Sequence, residues 1–238
     1  MSAIIPLLLP FLAATALSAR QWQPQTIENP GRDTTPQPLW YPQFQVNFNE
    51  TMSLFSLLQA HTQGKWWYDA VAKAEVIDRL NGQGDRYCGS IHPLTRTPCR
   101  HLVTRGNRYL IFPELKQCCL CCVAAQGCGI LSPRWLDDAE FQGTTHLYGK
   151  EVYKWSKKGV QGNFYYSTAD EAQLPVELYQ VPNDRQTLNT STFSPEGVTP
   201  DLIEVPRYCK PRCPLASVCT FLDSGGEGGE DQTNQEPF

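Results

Sequence analysis

Cysteines are the residues most able to do chemistry in this chain, because thiolates bind metals and exchange electrons whereas disulfides cross-link. Five of the ten cysteines lie within eleven residues, at Cys118, Cys119, Cys121, Cys122 and Cys128. The others are Cys88 and Cys99 before this cluster and Cys209, Cys213 and Cys219 after it. The chemistry of the cluster therefore depends on whether its compartment is oxidising.

A zinc site is the main alternative to disulfides. Two Cys-x-x-Cys pairs are present, Cys118 with Cys121 and Cys119 with Cys122. Structural zinc sites use two such pairs separated by a loop, whereas these pairs overlap, and adjacent cysteines cannot both bind one tetrahedral ion without strain. A thioredoxin-like redox motif would need a βαβ context, which the sequence does not show. We predict disulfides throughout, with no metal and no cofactor.

The pairing of the cysteines stays open at this point. Neighbouring side chains on an extended strand face opposite ways, so adjacent cysteines in the cluster are expected to have different partners. One arrangement pairs each clustered cysteine with one of the five outside the cluster. Ten cysteines nevertheless allow on the order of 945 pairings.

The N-terminus indicates an oxidising compartment. Residues 3–14 are apolar, small residues follow and the first charge is Arg20, which predicts a signal peptide over residues 1–19. This run is shorter than the ~20 apolar residues of a membrane span, so no transmembrane segment is expected. Asn49 and Asn189 each begin an N-glycosylation acceptor tripeptide. We therefore expect a glycoprotein that is secreted, or that lies in the lysosomal lumen.

The rest of the chain is predicted to form one domain with tails. Residues 20–50 are rich in Pro and Gln and predict an extended arm. Residues 51–222 are predicted to form a disulfide-rich β domain, and residues 223–238 an acidic disordered tail. The body without this tail is nearly neutral and has no basic stripe, so nucleic acid is not an expected partner.

Short runs of aromatic and β-branched residues predict an antiparallel sheet built from hairpins. These runs alternate with turn residues and lie at 65–69, 75–79, 101–103, 108–112, 140–146, 151–155, 163–168 and 174–179. In the last run Leu174, Val176 and Leu178 are expected to share a buried face. Pro175 there marks either an edge strand or the first position of a strand.

Helices are predicted to be short. The apolar spacing over residues 52–60 favours a short helix over a strand. Asp137 and Asp138 follow Pro133 and resemble the solvated first turn of another short helix. The predicted fold class is mainly β, with curved antiparallel sheets built from hairpins, short helices and a disulfide-rich segment.

No catalytic motif is recognisable in the sequence. None of the four histidines lies in a zincin motif, and no Gly-x-Ser-x-Gly elbow or phosphate-binding glycine loop occurs. We predict no catalytic residues and no enzyme, although a triad assembled in space stays open.

The aromatic residues suggest a binding face. They make up 11% of the chain and concentrate on the predicted strands. They could form an ordinary core, or line a concave face that holds an apolar ligand. The candidate ligand-binding residues are Trp66, Tyr68, Tyr109, Trp155, Phe164 and Tyr166.

A resemblance to a known family supports a binding function. The chain resembles ependymin-related secreted proteins over roughly residues 60–208. The matching motifs are the Gly-Lys-Trp-Trp-Tyr-Asp strand at 64–69, its partner ending in Asp78-Arg79, the Gly-Asn-Arg-Tyr-Leu hairpin at 106–110, Lys154-Trp155, Phe164-Tyr165-Tyr166 and Leu174-Pro175-Val176. That family is similar in fold to bacterial lipoprotein carriers, in which a curved sheet wraps a hydrophobic cavity. The resemblance implies non-catalytic binding of a lipid or another apolar molecule, in a homodimer.

The sequence thus leads to one hypothesis and two alternatives. The hypothesis is a secreted, disulfide-stabilised protein that binds a hydrophobic, lipid-like small molecule without catalysis. The first alternative is an extracellular structural or adhesive module whose aromatic residues are only core. The second is a secreted hydrolase with an unrecognised site.

Overall fold

A computed structural model describes residues 35–54, 58–159, 162–182, 184–215 and 217–219. The predicted signal peptide, residues 20–34 of the predicted arm and the acidic tail lie outside this range. No helix among the described residues is long and apolar enough to cross a membrane.

Eleven antiparallel strands form one sheet in the described chain, which confirms the mainly β fold. The strands are β1 Gln43–Leu54, β2 Leu58–Asp69, β3 Ala74–Arg79, β4 Cys99–Thr104, β5 Asn107–Phe112, β6 Gln117–Val123, β7 Glu140–Leu147, β8 Lys150–Lys157, β9 Asn163–Thr168, β10 Pro175–Gln180 and β11 Asp184–Leu188. The helices are short: α1 Arg86–Ile91, and 3-10 turns at Gly82–Gly84, Ala124–Gln126, Thr190–Thr192 and Pro200–Ile203.

The sheet consists of two meanders. Its strand order is β6-β5-β4-β3-β2-β1-β11-β10-β9-β8-β7. We call β1–β6 the N-terminal meander and β7–β11 the C-terminal meander. They share ladder hydrogen bonds where β1 pairs with β11, from Phe48 opposite Leu188 to Met52 opposite Asp184.

The two edge strands, β6 and β7, are consecutive in the chain, so the connection between them crosses one face of the sheet. We call that side the inner face. Leu131, Trp135 and Leu136 of this connection are buried against inner-face residues such as Trp66 and Trp155. The connection therefore closes the inner face as a strap.

The inner face is concave. Tyr68 on β2 and Tyr165 on β9 are separated by four strand spacings, about 19 Å in a flat sheet. The rings of both residues nevertheless lie 5.8 Å from the ring of Trp40. Such convergence on one side chain requires the sheet to curve around it.

Five disulfides join all ten cysteines, as predicted. Three bridges fasten β6 to the C-terminal segment: Cys118–Cys209, Cys119–Cys213 and Cys121–Cys219. The other two bridges are local, Cys88–Cys99 and Cys122–Cys128. The predicted arrangement, which paired each clustered cysteine with one outside the cluster, is therefore wrong for these four residues. These partners are close in the chain and meet across a short helix or turn.

Strand alternation explains most cysteine directions. Cys118 packs on the outer face and Cys119 on the inner face, as an extended strand requires. Cys121 and Cys122 both pack in the inner cluster. The β5–β6 register shifts between Arg108 and Tyr109, and this bulge breaks the alternation there.

Some local predictions were wrong. Residues 52–54 and 58–60 belong to β1 and β2, which form a hairpin instead of the predicted helix. Strand β1 begins at Gln43, so the final part of the predicted arm, residues 43–50, belongs to the sheet. Asp137 and Asp138 lie in a series of turns instead of a helix.

The last predicted strand lies at the predicted position, but its side chains do not share one buried face as predicted. Pro175 is the first residue of β10, an interior strand of the sheet, so the second alternative for this proline is confirmed. Val176 packs on the outer face and Leu178 on the inner face. A register shift between Pro175 and Glu177 causes the difference, because one extra residue reverses the direction of the side chains.

Candidate functional site

Aromatic rings fill much of the inner face. We call the residues Trp40, Phe44, Trp66, Tyr68, Trp135, Trp155 and Tyr165 the aromatic cluster. Trp40 stands edge-on to Phe44 at 5.2 Å and to Trp135 at 5.3 Å. The Tyr68 hydroxyl donates a hydrogen bond of 2.9 Å to the Leu131 carbonyl, which anchors the strap.

Three of the six candidate binding residues, Trp66, Tyr68 and Trp155, belong to this cluster. Tyr109 packs on the outer face of the N-terminal meander. Phe164 and Tyr166 pack on the outer face of the C-terminal meander. The six candidates therefore do not form one site.

A cavity of about 90 Å³ lies beside the aromatic cluster on the inner face. We call it the polar cavity. Its apolar wall includes Trp66, Ile77, Leu131 and Leu178. The same lining carries ionisable and amide groups from Glu50, Glu75, Arg79, Asp85, His101, Arg108, Asn163 and Asp184. Helix α1 contributes Arg86 and Tyr87 to its lining.

The Arg79–Glu50 ion pair spans strand β2. Arg79 Nε lies 2.7 Å from Glu50 Oε2 and Nη2 lies 3.1 Å from Oε1, with both side chains buried. In the strand register Arg79 faces Gly64, and Gly64 faces Phe48. Because Gly64 has no side chain, the Arg79 guanidinium can cross β2 and reach the carboxylate on β1.

Asp85 connects helix α1 to this pair. Its Oδ1 accepts hydrogen bonds from the backbone N–H groups of Tyr87 and Cys88 at 3.0 and 2.7 Å, as an N-cap does. The same oxygen lies 2.9 Å from His101 Nε2, and Oδ2 lies 3.5 Å from Arg79 Nε. A single carboxylate thus positions the helix, the imidazole and the guanidinium.

Burial and charge set the ionisation of this network. Burial lowers the pKa of His101 despite the nearby Asp85 carboxylate, so the imidazole is neutral and donates from Nε2. Burial would raise the pKa of Asp85, but His101 and Arg79 outweigh it and lower that pKa. Burial would lower the pKa of Arg79, yet Glu50 and Asp85 hold it above its usual value.

Asp184 is the least satisfied carboxyl group in the cavity. It begins β11, next to Met52 of β1. Burial raises its pKa to about 7, and the Glu50 carboxylate adds to that effect. Its Oδ1 atom is buried without a hydrogen-bond partner in the described chain, as is Oδ1 of Asn163.

Glu75 and Arg108 occupy a further part of the lining. Burial raises the pKa of Glu75, and the Arg108 charge opposes this only partly. Arg108 Nη2 donates a hydrogen bond of 3.1 Å to the Gly129 carbonyl. The cavity therefore offers two carboxyl groups, Glu75 and Asp184, whose pKa values burial holds above those of exposed carboxyl groups.

One group of potential metal ligands in the described chain makes a poor metal site. Cys88, Cys99 and His101 are close enough to share an ion. The two sulfurs are joined in a disulfide, which leaves one nitrogen and no thiolate.

Sequence reasoning missed the polar cavity. Its charged residues come from β1, β3, β4, β5, β11 and the start of α1, so they are spread along the chain from Glu50 to Asp184. One signal was available in the sequence. Charged residues such as Glu75, Arg79 and His101 occur inside predicted strands, at positions that strand alternation assigns to the buried face.

Comparisons with known proteins give only distant structural likenesses. No protein family and no curated protein matches the chain. An uncharacterized conserved protein from Thermus thermophilus is 11% identical, with a TM-score of 0.46 over 72% of this chain and 91% of that one. A LolA-superfamily protein from Nitrosomonas europaea is 10% identical, with a TM-score of 0.32 over 73% and 93%. A putative outer membrane lipoprotein-sorting protein domain from Vibrio parahaemolyticus is 8% identical, with a TM-score of 0.34 over 71% and 92%. The resemblance to ependymin-related proteins stays a prediction.

Proposed function

We propose that this protein binds a small amphiphilic molecule in the polar cavity and releases it chemically unchanged. The observation that carries the proposal is the composition of the cavity wall. The lining combines apolar side chains, such as Ile77 and Leu178, with charged ones, such as Arg79 and Asp184. Pockets of this kind bind the apolar part of a ligand by burial and fix its orientation through a few polar groups.

This proposal narrows the hydrophobic ligand expected from the sequence. The rings of the aromatic cluster pack against one another and against the strap, so they do not leave the space that a long lipid chain needs. Trp66 is the residue that belongs to both the cluster and the cavity wall. A ligand with a short apolar body fits the remaining volume.

The proposal includes a secreted, glycosylated protein. Five disulfides favour an oxidising compartment. Asn49 and Asn189, the two acceptor asparagines, are both exposed. Mass spectrometry before and after enzymatic deglycosylation would test both sites, and two unmodified asparagines would contradict this part of the proposal.

Binding is tested with the full-length protein secreted from eukaryotic cells. Native mass spectrometry, followed by organic extraction, reports the oxidation state, the subunit number and any bound small molecule together. We expect a bound amphiphile, and a loss of that mass in Ile77→Phe, because a larger ring fills the apolar wall. Leu94→Phe is the matched control, since Leu94 is 92% exposed. An empty wild-type protein that stays empty when offered amphiphiles would overturn the proposal.

One observation favours a second candidate, a hydrolase. Asp184 is a cavity-lining carboxyl group whose pKa burial raises to about 7, in the range useful for proton transfer. A panel of ester, glycoside and phosphate substrates would test this candidate. Hydrolysis that disappears in Asp184→Asn would establish the enzyme, and its absence across the panel would leave binding as the function.

A further inference from the structure

The polar cavity has more carboxyl groups than cations to pair with them. Four carboxyl groups line it, those of Glu50, Glu75, Asp85 and Asp184. The cations of the lining are Arg79, Arg86 and Arg108, of which Arg86 is exposed, and His101 is neutral. An incoming positive charge would therefore meet carboxyl groups that the protein itself does not neutralise.

Asp184 is the carboxyl group open to such a charge. Glu50 already accepts two hydrogen bonds from Arg79. Asp85 is held by His101 and by the first turn of α1. Asp184 faces the carboxylates of Glu50 and Asp85 and the cations Arg79 and Arg86, and the carboxylates and burial together outweigh the cations.

Asn163 supplies a second acceptor to the same cavity. The residue is 6% exposed, and its Oδ1 atom is buried with no hydrogen-bond partner among the described residues. A buried acceptor without a partner destabilises the fold unless water or a ligand donates to it. Asn163 and Asp184 flank Gln180 of β10 on its two sides, so their backbones are about 10 Å apart and both side chains line the cavity from the same concave face.

We propose that the cavity selects a small primary amine, whose ammonium group donates hydrogen bonds to Asp184 and Asn163 while its carbon chain packs against Ile77 and Leu178. This inference rests on the proposed function and names its ligand class. A primary ammonium group has three N–H donors and one positive charge. Two of the donors match the acceptor oxygens of Asp184 and Asn163, and the charge matches the carboxylate of Asp184. Arg79 Nη1, a buried donor without a partner in the described chain, fits a water molecule or a ligand hydroxyl beside the ammonium.

Three probes of equal chain length separate head-group chemistry from apolar burial. Isothermal titration calorimetry of the wild-type protein at pH 8 compares n-pentylamine, n-pentanol and n-pentanoate. We expect pentylamine to bind at least about tenfold more tightly than pentanol, because only the amine pairs with Asp184. Pentanoate is expected to bind most weakly, because it adds a further negative charge to the cavity.

The variant Asp184→Asn tests the pairing directly. It keeps the size of the side chain and removes its charge, so pentylamine affinity should fall at least about tenfold while pentanol affinity stays unchanged. The matched control is Asp138→Asn, at an exposed position with φ of 63°, a conformation that Asn tolerates. Thermal melting of each variant verifies that it is folded.

The pH dependence gives an independent readout. An alkylammonium group stays charged up to about pH 10. Asp184 carries its negative charge above a pKa of about 7 in the free protein, so pentylamine affinity should rise between pH 5.5 and 8. This rise should be clearly smaller in Asp184→Asn, where Glu75 is the other lining carboxyl group with a raised pKa. An equal rise in the variant would overturn the amine assignment.

The outcomes separate this inference from the proposed function. Pentanol or pentanoate binding as tightly as pentylamine, or unchanged pentylamine affinity in Asp184→Asn, would overturn the amine assignment and leave amphiphile binding in place. If no probe binds and no amphiphile is extracted from the protein, both proposals fail together.

Discussion

The aromatic cluster and the polar cavity lie side by side on the inner face, yet only the cavity leaves space. At the cluster, side chains from both meanders meet the strap, and rings such as Trp155 and Tyr165 stack at 5.5 Å. At the cavity, Arg79 and Glu50 fix each other by hydrogen bonds and do not fill the volume between them and Leu178. The packed rings exclude solvent by direct contact. The ion pair instead holds its atoms at hydrogen-bonding distances and leaves open volume beside it.

The difference between these regions shows how one sheet can combine rigidity with a binding space. Aromatic packing stabilises the curve of the sheet through apolar burial. The ionic network contributes little net stability, because each buried charge must be removed from water before it is paired. Its value lies in holding polar atoms at fixed positions beside an apolar wall.

The largest expected effect is the loss of a ring from the aromatic cluster. Trp155 is 1% exposed, and Trp155→Ala should lower the free energy of unfolding by about 3–5 kcal/mol, because it leaves a cavity that the neighbouring rings cannot fill. Denaturant unfolding under non-reducing conditions measures the change. Val71→Ala is the control, since Val71 is 77% exposed. A loss below about 1 kcal/mol for Trp155→Ala would mean that the cluster does not support the curve of the sheet.

Breaking the ionic network should cost somewhat less. Arg79→Met keeps an apolar stem and removes the guanidinium, which leaves Glu50 and Asp85 buried without their main cation. We expect a loss of about 3 kcal/mol, the lower end of the range for a broken buried pair. The double variant Arg79→Met with Glu50→Leu should recover part of this loss in the same unfolding experiment. No recovery would show that the two residues act independently.

The pH dependence of stability separates the two regions, because the aromatic cluster has no carboxyl group. The folded-state pKa of Asp184 is raised to about 7 from 3.8, so folding disfavours its charged form and its contribution to stability falls as pH rises from about 4 to 7. His101 has a lowered folded-state pKa and acts in the opposite direction below about pH 6.5. The free energy of unfolding of Asp184→Asn should therefore rise relative to that of wild type as the pH increases from 5 to 8, by at least about 1 kcal/mol.

That comparison is measured by denaturant unfolding of both proteins at each pH, with Asp138→Asn as the exposed control. Equal stability differences at pH 5 and pH 8 would show that Asp184 is not forced towards its neutral form in the fold.

The smallest effect is expected at an ion pair outside both regions. Arg100 Nε lies 2.6 Å from Asp78 Oδ1 on the outer face, with side chains 30% and 32% exposed. Solvent screens such pairs, so Arg100→Met should change the free energy of unfolding by under about 1 kcal/mol. A loss equal to that of Arg79→Met would remove the distinction between buried and exposed pairs.

Local sequence pattern was sufficient to predict the β class, most strands and the oxidation of the cysteines to disulfides, but not their pairing. Runs such as Glu75–Arg79 and Asn163–Thr168 coincide with strands because aromatic and β-branched residues suit a pleated sheet. Strand β1 was missed because its start, Gln43, follows a proline-rich run and its end was assigned to a helix. Strand β11 was missed because Asp184–Leu188 is mostly polar and gains its position from pairing with β1.

The candidate site depends on information that spacing does not contain. Trp66 was predicted as a binding residue because its ring suggested an apolar face. The cavity beside it requires Gly64 to admit the Arg79 side chain, and β1 to pair with β11 so that Glu50 and Asp184 become neighbours. Both conditions concern long-range register, which local periodicity does not specify.

The division of the sheet into two meanders has a consequence for the order of events during synthesis. The N-terminal meander can form as soon as residue 123 is available, since each of its strands pairs with the next. Cys118, Cys119 and Cys121 would then wait for partners that follow 91, 94 and 98 residues later. Closure of β1 on β11 brings the end of the chain back to the first meander, so correct thiol pairing depends on that late step. A cell that makes this protein therefore has to protect three neighbouring thiols until the segment with Cys209, Cys213 and Cys219 has been made.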